Sequence, residues 1–241
     1  MQIKPKTTGK TIKIIYEDKN LMVVDKPSGF VVFPEGQTKN GTLIELLIEK
    51  YPDLKLAGES PRYGMVHRLD KDTSGILLIA KSTEALIFLQ KQFINRIVEK
   101  KYTALVIGQI KQEMGQIKTL IARSKSDPRK QKAYPLNDPN TKGKREAITE
   151  FKVIKHFQNF TLLEVQIKTG RRHQIRCHLS YLKHPIAGDK LYGFKNQPIP
   201  EDLTRQFLHA SYLKIQLPSG QIKEFYSDLP EEFKKVLEKL T

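Results

Sequence analysis

Residues 76–80, Ile-Leu-Leu-Ile-Ala, follow without a break on the stretch His67-Arg68-Leu69-Asp70-Lys71-Asp72-Thr73-Ser74-Gly75. An unbroken apolar run of this length reads as a strand covered on both faces, because a strand with one wet face would alternate. It therefore demands layers of structure on either side, and it holds the polar segment before it at the rim of a core. Two aspartates flanking a lysine there form either an ordinary solvated turn or a site.

The rest of the chain supplies those layers. TIKIIYED and LMVVDKP read as two short strands about the turn 18–20, closed by Pro27-Ser28-Gly29. Thr42 with Glu45 makes a capping box for a helix carrying Leu43, Leu46, Leu47 and Tyr51, which ends near Pro52. Ser82 caps a second helix with Leu86, Leu89 and Phe93 on one side, and KKYTALVIGQI follows as a strand. EAITEFKVIKHF and NFTLLEVQIK are two strands joined at Gln158-Asn159, with Leu163, Val165 and Ile167 alternating against Glu164 and Gln166. LHASYLKIQL turns at Pro218-Ser219-Gly220 into IKEFY, and Pro230 opens a closing helix with Phe233, Val236, Leu237 and Leu240 inward. Many strands joined by short turns, with helices between them, predict an α+β fold around a large mixed, mainly antiparallel sheet. No linker is visible, so one domain over 1–241 is expected, with residues 1–11 as a flexible tail.

The 241 residues carry 42 Lys+Arg against 26 Asp+Glu, a formal charge of +16, which attracts polyanions and favours nucleic acid over a membrane surface. Cys177 is the only cysteine, which excludes an intramolecular disulfide or a multi-cysteine zinc site and fits a cytoplasmic home. Neither a signal peptide nor a run of about 18 apolar residues is present. The stretch 122–132, ARSKSDPRKQK, is basic and broken by a proline. It predicts a mobile loop, with Arg123, Arg129 and Lys130 as phosphate contacts.

In KTGRRHQIRCHLSYLKHP, 168–185, the spacing of Ile175, Leu179 and Leu182 predicts a helix from Thr169 or Gly170, with Arg171 and Arg172 in its first turn. The helix dipole disfavours cations there, whereas arginines beside free N–H groups seat a phosphate. A merely basic solvated helix end stands as the other reading. Arg176, beside Ile175, is placed near the buried edge and needs an anion. The aspartates of 67–75 are the available partners.

HRLDKDTSG (67–75), with VDKPSG (24–29), KKYTALV (100–106), TGRRHQIRCHL (169–179) and LHASYLKIQLPSG (208–220) in this order, resembles the RluA-type family of RNA pseudouridine synthases over roughly residues 12–229. The resemblance implies conversion of uridine to pseudouridine in structured RNA, on a sheet with a central cleft, without cofactor or metal. It implies Asp70 as the essential catalytic residue, Tyr102 at the reacting base, and Arg176 paired with Asp70. Arg68 would fill the gap left by a flipped nucleotide, while Lys71, Arg171, Arg172 and His173 join the RNA-binding set. Many relatives begin with a small S4-type RNA-binding domain, for which there is no room ahead of the first strand here. Ribosomal RNA is the preferred substrate, with tRNA the other possibility, and a monomer with no obligate protein partner is the default.

The chemistry suits these residue types. The C1′–N1 bond must break and a C1′–C5 bond form, which calls for a carboxylate acting covalently or assisting loss of a sugar proton, and both routes fit an ionised Asp70. Arg176 alongside would favour that ionised form. Tyr102 supplies an aromatic face and a phenol, and a target inside folded RNA must be extruded first. Two other classes compete: a catalytically silent rRNA-binding or assembly protein, and a metal-dependent phosphoesterase using His67, Asp70 and Asp72. Against the latter, His-x-x-Asp-x-Asp is not a tight metal spacing, and an aspartate before Thr-Ser-Gly is a common turn former. His173 and His178, five apart, miss the i, i+4 spacing for a shared metal.

Overall fold

The computed structural model describes residues 2–3 and 11–240. The tail expected over 1–11 lies outside the described residues except for 2, 3 and 11. The architecture is α+β and mainly antiparallel, with strands β1 (Gln2–Ile3), β2 (Ile12–Glu17), β3 (Leu21–Lys26), β4 (Ser74–Ala80), β5 (Glu99–Ile107), β6 (Met114–Arg123), β7 (Gln131–Tyr134), β8 (Arg145–Phe157), β9 (Phe160–Ile167), β10 (Leu208–Gln216) and β11 (Ile222–Tyr226). The helices are α1 (Leu43–Lys50), α2 (Thr83–Ile94), α3 (Gln174–Tyr181) and α4 (Glu231–Lys239), and a 3-10 turn at Pro52–Leu56 follows α1. No helix among the described residues is long and apolar enough to cross a membrane.

The chain divides into two compact units, Met1–Val98 with Ala210–Asp228, and Glu99–His209 with Leu229–Thr241. No linker announces the division because one passage between units occurs inside β10 and another immediately before β5, where the sequence is strand-forming rather than loop-like.

In the first unit the strand order is β1-β2-β3-β4-β10, with β11 also on β10. β3 and β4 pair antiparallel, Val23 opposite Leu78 and Val24 opposite Leu77. Every residue of β4 is buried, as the apolar run predicts. Its side chains enter a core with Leu86 and Leu89 of α2 and Leu213 and Phe225 of the β10–β11 hairpin. Gly75 opens β4 at φ +112, and a Cβ there would stand 2.2 Å from the carbonyl oxygen of Ala210. Only glycine admits that approach. The helix caps form as their sequences dictate: Thr42 and Glu45 close a capping box on α1, and Ser82 Oγ accepts the Ala85 N–H at 3.2 Å.

In the second unit the order is β5-β9-β8-β6-β7. The 158–159 turn folds β8 onto β9, and Leu163, Val165 and Ile167 are buried while Glu164 and Gln166 are half-buried. His178 of α3 is fully buried between two hydroxyls, its Nε2 2.9 Å from Thr119 Oγ1 and its Nδ1 2.8 Å from Thr149 Oγ1. Burial pushes its pKa down to about 4, below the roughly 6.5 of an unfolded histidine. Between those values the unfolded chain binds more protons than the folded one, so stability rises with pH across that window. The urea midpoint is therefore expected to fall as pH drops from about 6.5 to about 4. His178→Gln should flatten that fall, and an equal fall in the variant would assign it to other groups.

Candidate active site

Asp70 sits in the turn that feeds β4, half-buried, with its carbonyl accepting the Thr73 N–H at 3.1 Å. The next residue explains why the turn is fixed. The carbonyl of Lys71 accepts the Gly29 N–H at 2.8 Å and the Lys26 ammonium at 2.9 Å. Lys26 is wholly buried and also donates to the Pro27 carbonyl at 3.0 Å. The VDKPSG segment thus acts as a clamp on the residue beside Asp70. Thr73 and Ser74 are buried behind it, while Lys71 and Asp72 are exposed at the tip.

His67 faces inward instead. Its Nε2 accepts the Leu78 N–H of β4 at 3.0 Å, and its ring stacks on Phe93 of α2 with centroids 4.9 Å apart. A nitrogen used in this way is not offered to a metal, and no group of three or more His, Cys, Asp or Glu among the described residues could hold one. Arg68 forms a two-pronged ion pair with Glu35 and lies 5.3 Å from the Phe33 ring centroid, with Arg62 4.8 Å from the same ring.

In the second unit, Tyr102 lies buried in β5 opposite Val165 of β9. Lys100 is two residues away on the same face of that strand, and burial holds its amine down to about 8. Arg176 is 7% exposed, so the anion it requires must be close. Asp189 supplies one: Arg176 Nε donates to Oδ2 at 2.7 Å and Nη2 to Oδ1 at 2.9 Å. Asp189 also accepts the N–H groups of Leu191 (2.9 Å) and Tyr192 (3.0 Å). Burial alone would raise its pKa, but the Arg176 hydrogen bonds and charge, with those two N–H groups, outweigh it and leave the carboxyl below its usual range. The Tyr192 ring centroid is 5.1 Å from the Arg176 guanidinium carbon.

Helix α3 begins at Gln174, later than its apolar spacing suggests, so Arg171 and Arg172 precede it rather than lying in its first turn. Gln174 is the reason. Its Oε1 accepts the Thr169 hydroxyl at 2.7 Å and the Arg171 N–H at 3.0 Å, while its Nε2 donates to the Ile148 carbonyl and to Thr149 Oγ1. These bonds draw 169–171 into a turn against β8, and His173 at φ +53 cannot continue a helix backwards. Arg171 Nε donates to the Glu146 carbonyl, Arg172 is exposed, and His173 Nδ1 is 3.1 Å from the Tyr192 hydroxyl.

The loop is 124–130, shorter than the 122–132 its composition suggests because Ala122 and Arg123 of β6 pair with Lys132 and Gln131 of β7, and it is a tied one. Lys130 and Ser124 bond across it, Arg123 Nε donates to the Pro128 carbonyl at 2.8 Å, and Arg129 pairs with Asp127, whose pKa is lowered to about 2 chiefly by that hydrogen bond. Gln131 then starts β7, its N–H donating to the Tyr192 hydroxyl at 2.6 Å.

A family model described as RNA pseudouridylate synthase matches residues 20–181, a span that holds Asp70, Tyr102 and Arg176. The chain belongs to the RNA pseudouridylate synthase family. An uncharacterized RNA pseudouridine synthase of Bacillus subtilis is 40% identical over 230 residues, covering 95% of this chain and 73% of that one. A ribosomal large subunit pseudouridine synthase D of Pasteurella multocida is 33% identical over 240 residues, 95% of this chain and 71% of its own. Among solved structures, human RNA pseudouridylate synthase domain containing 4 superposes with a TM-score of 0.76 at 26% identity, covering 95% of this chain and 92% of that one. The chain is accordingly an RNA pseudouridine synthase, an isomerase.

Two residues of this synthase escaped the sequence reading, Asp189 and Tyr192. The signal for them was present in HPIAGDKLYG, 184–193, which has neither strand nor helix periodicity yet carries a Pro, two Gly, an Asp and a Tyr. Cys177 fits the plain reading of a small core residue: it is buried with Ile121, Ala133 and Ala147, and burial pushes its thiol up to about 12.

The clamp on the synthase's Asp70 turn makes a direct prediction. Lys26→Met removes the ammonium donor from two carbonyls, at a cost of about 1–3 kcal/mol for buried groups left short of partners. Urea denaturation should show that loss, and hydrogen exchange should show faster exchange at the Gly29 and Thr73 amides. Unchanged exchange at both would mean that Lys26 does not hold the turn.

Proposed function

We propose that this enzyme isomerises a specific uridine in structured ribosomal RNA, that Asp70 is the carboxylate acting on the target nucleotide, and that the reaction uses no cofactor. The observation that carries the assignment of Asp70 is the clamp behind it: two donors converge on the Lys71 carbonyl, so the neighbouring carboxylate rides on a turn with little freedom to move. Preorganisation of this kind is what a reaction at one sugar carbon requires. The preference for ribosomal RNA rests on relatives named ribosomal large subunit pseudouridine synthase D.

In this reading the C1′–N1 bond breaks, uracil turns, and C1′ bonds to C5. The C5 proton leaves as N1 gains one, so atoms balance without a redox partner. Asp70 either bonds covalently to the nucleotide or takes up a sugar proton on the way to a glycal. Arg176, its guanidinium forked on Asp189, is the second charged member of the catalytic set. Tyr102 receives the base, and Arg68 leaves Glu35 to occupy the stack that the extruded nucleotide vacates. Lys71, Arg123, Arg129, Lys130, Arg171, Arg172 and His173 serve the RNA backbone, with the formal charge of +16 drawing the polyanion in. The enzyme acts as a monomer in the cytoplasm.

Asp70→Asn keeps size and shape while removing the charge. It is expected to bind RNA as wild type does, yet release no hydrogen from C5-labelled uridine, a loss of at least about 10³-fold for a covalent or proton-transferring group. Wild-type release should persist in EDTA. Turnover by Asp70→Asn would remove Asp70 from the mechanism, and RNA binding by both proteins without turnover by either would make the chain a silent binder.

A further inference from the structure

We infer that Asp189 and Tyr192 are positioning residues for the reaction, holding the Arg176 guanidinium in one orientation and tying it to the basic 124–130 loop. The inference rests on the reading of Asp70 and Arg176 given above.

A lone arginine on a short helix has freedom about several bonds, and what a guanidinium does to a reacting group depends on where it points. Here that freedom is removed in two steps. Asp189, 1% exposed, grips Nε and Nη2 together, which fixes both the plane of the guanidinium and its rotation. Asp189 is in turn held by the N–H groups of Leu191 and Tyr192, so the gripping carboxylate cannot swing with the arginine. The Tyr192 ring, 6% exposed, lies beside the guanidinium at 5.1 Å.

Tyr192 then reaches the loop. Its hydroxyl accepts the Gln131 N–H at 2.6 Å and lies 3.1 Å from His173 Nδ1, while the Lys130 ammonium is 6.0 Å from its ring centroid. Arg176, Tyr192 and Lys130 therefore form one continuous run of contacts inside the second unit. A pair built only for stability would need neither the second grip on Asp189 nor an aromatic ring shared by two cations. A buried pair of this sort is also weak evidence of stabilisation, since desolvation offsets much of the attraction.

The test is a kinetic split in the full chain, measured by release of labelled C5 hydrogen. Asp189→Asn keeps one acceptor and loses the charge. It should lower kcat by about ten- to a hundredfold, with the KM for RNA changed less than twofold, and Asp189→Glu should recover part of the loss. Tyr192→Leu keeps the backbone N–H that Asp189 accepts but removes the ring, and should lower kcat by about threefold to tenfold, again in kcat rather than KM. It carries the test should Asp189→Asn not fold. Full kcat in either folded variant, or a loss confined to KM, overturns the inference. Asp70→Asn is run alongside. If it is inert while Asp189→Asn is fully active, the positioning role alone fails; if it is active, the reading of the site beneath it fails.

Discussion

The carbonyl oxygen of Lys71 is the point on which the turn carrying Asp70 depends. It collects the Gly29 N–H and the ammonium of a completely buried lysine. Burying a cation is costly unless its donors are met, so the Pro27 and Lys71 carbonyls hold Lys26 as firmly as Lys26 holds them. The consequence is felt one residue away, where the Asp70 carboxylate stands at the end of a strand whose every side chain is buried. Gly75 completes the arrangement by letting β4 begin against the Ala210 backbone.

The second unit solves a similar problem with opposite charges. Arg176 is buried and is met by Asp189, whose remaining lone pairs take two backbone N–H groups. In both units an ionised group is immobilised by the backbone near it rather than by long flexible side chains. Rigidity of this kind lowers the reorganisation that the reaction would otherwise require.

What could be read in the sequence follows a physical line. β4, the β8–β9 hairpin, the capping box of α1 and the Pro230 start of α4 were legible because each is decided by neighbours within a few residues. The start of α3 was not, because Gln174 makes its decisive bonds with Ile148 and Thr149, some 25 residues away in sequence. Asp189 was missed for the same reason: its partner lies 13 residues earlier, across a segment with no periodicity. The proposal of Asp70 as the catalytic carboxylate comes from its motif, since no local rule separates a catalytic aspartate from a turn former.

The most direct measurement is a crystal structure of the enzyme with an RNA in which the target uridine carries fluorine at C5, so that no proton can leave that carbon. The account predicts an extruded nucleotide with the Asp70 carboxylate against its sugar or ring, and the Arg176 guanidinium still forked on Asp189. A nucleotide seated away from Asp70, or an Arg176 released from Asp189, would contradict the account.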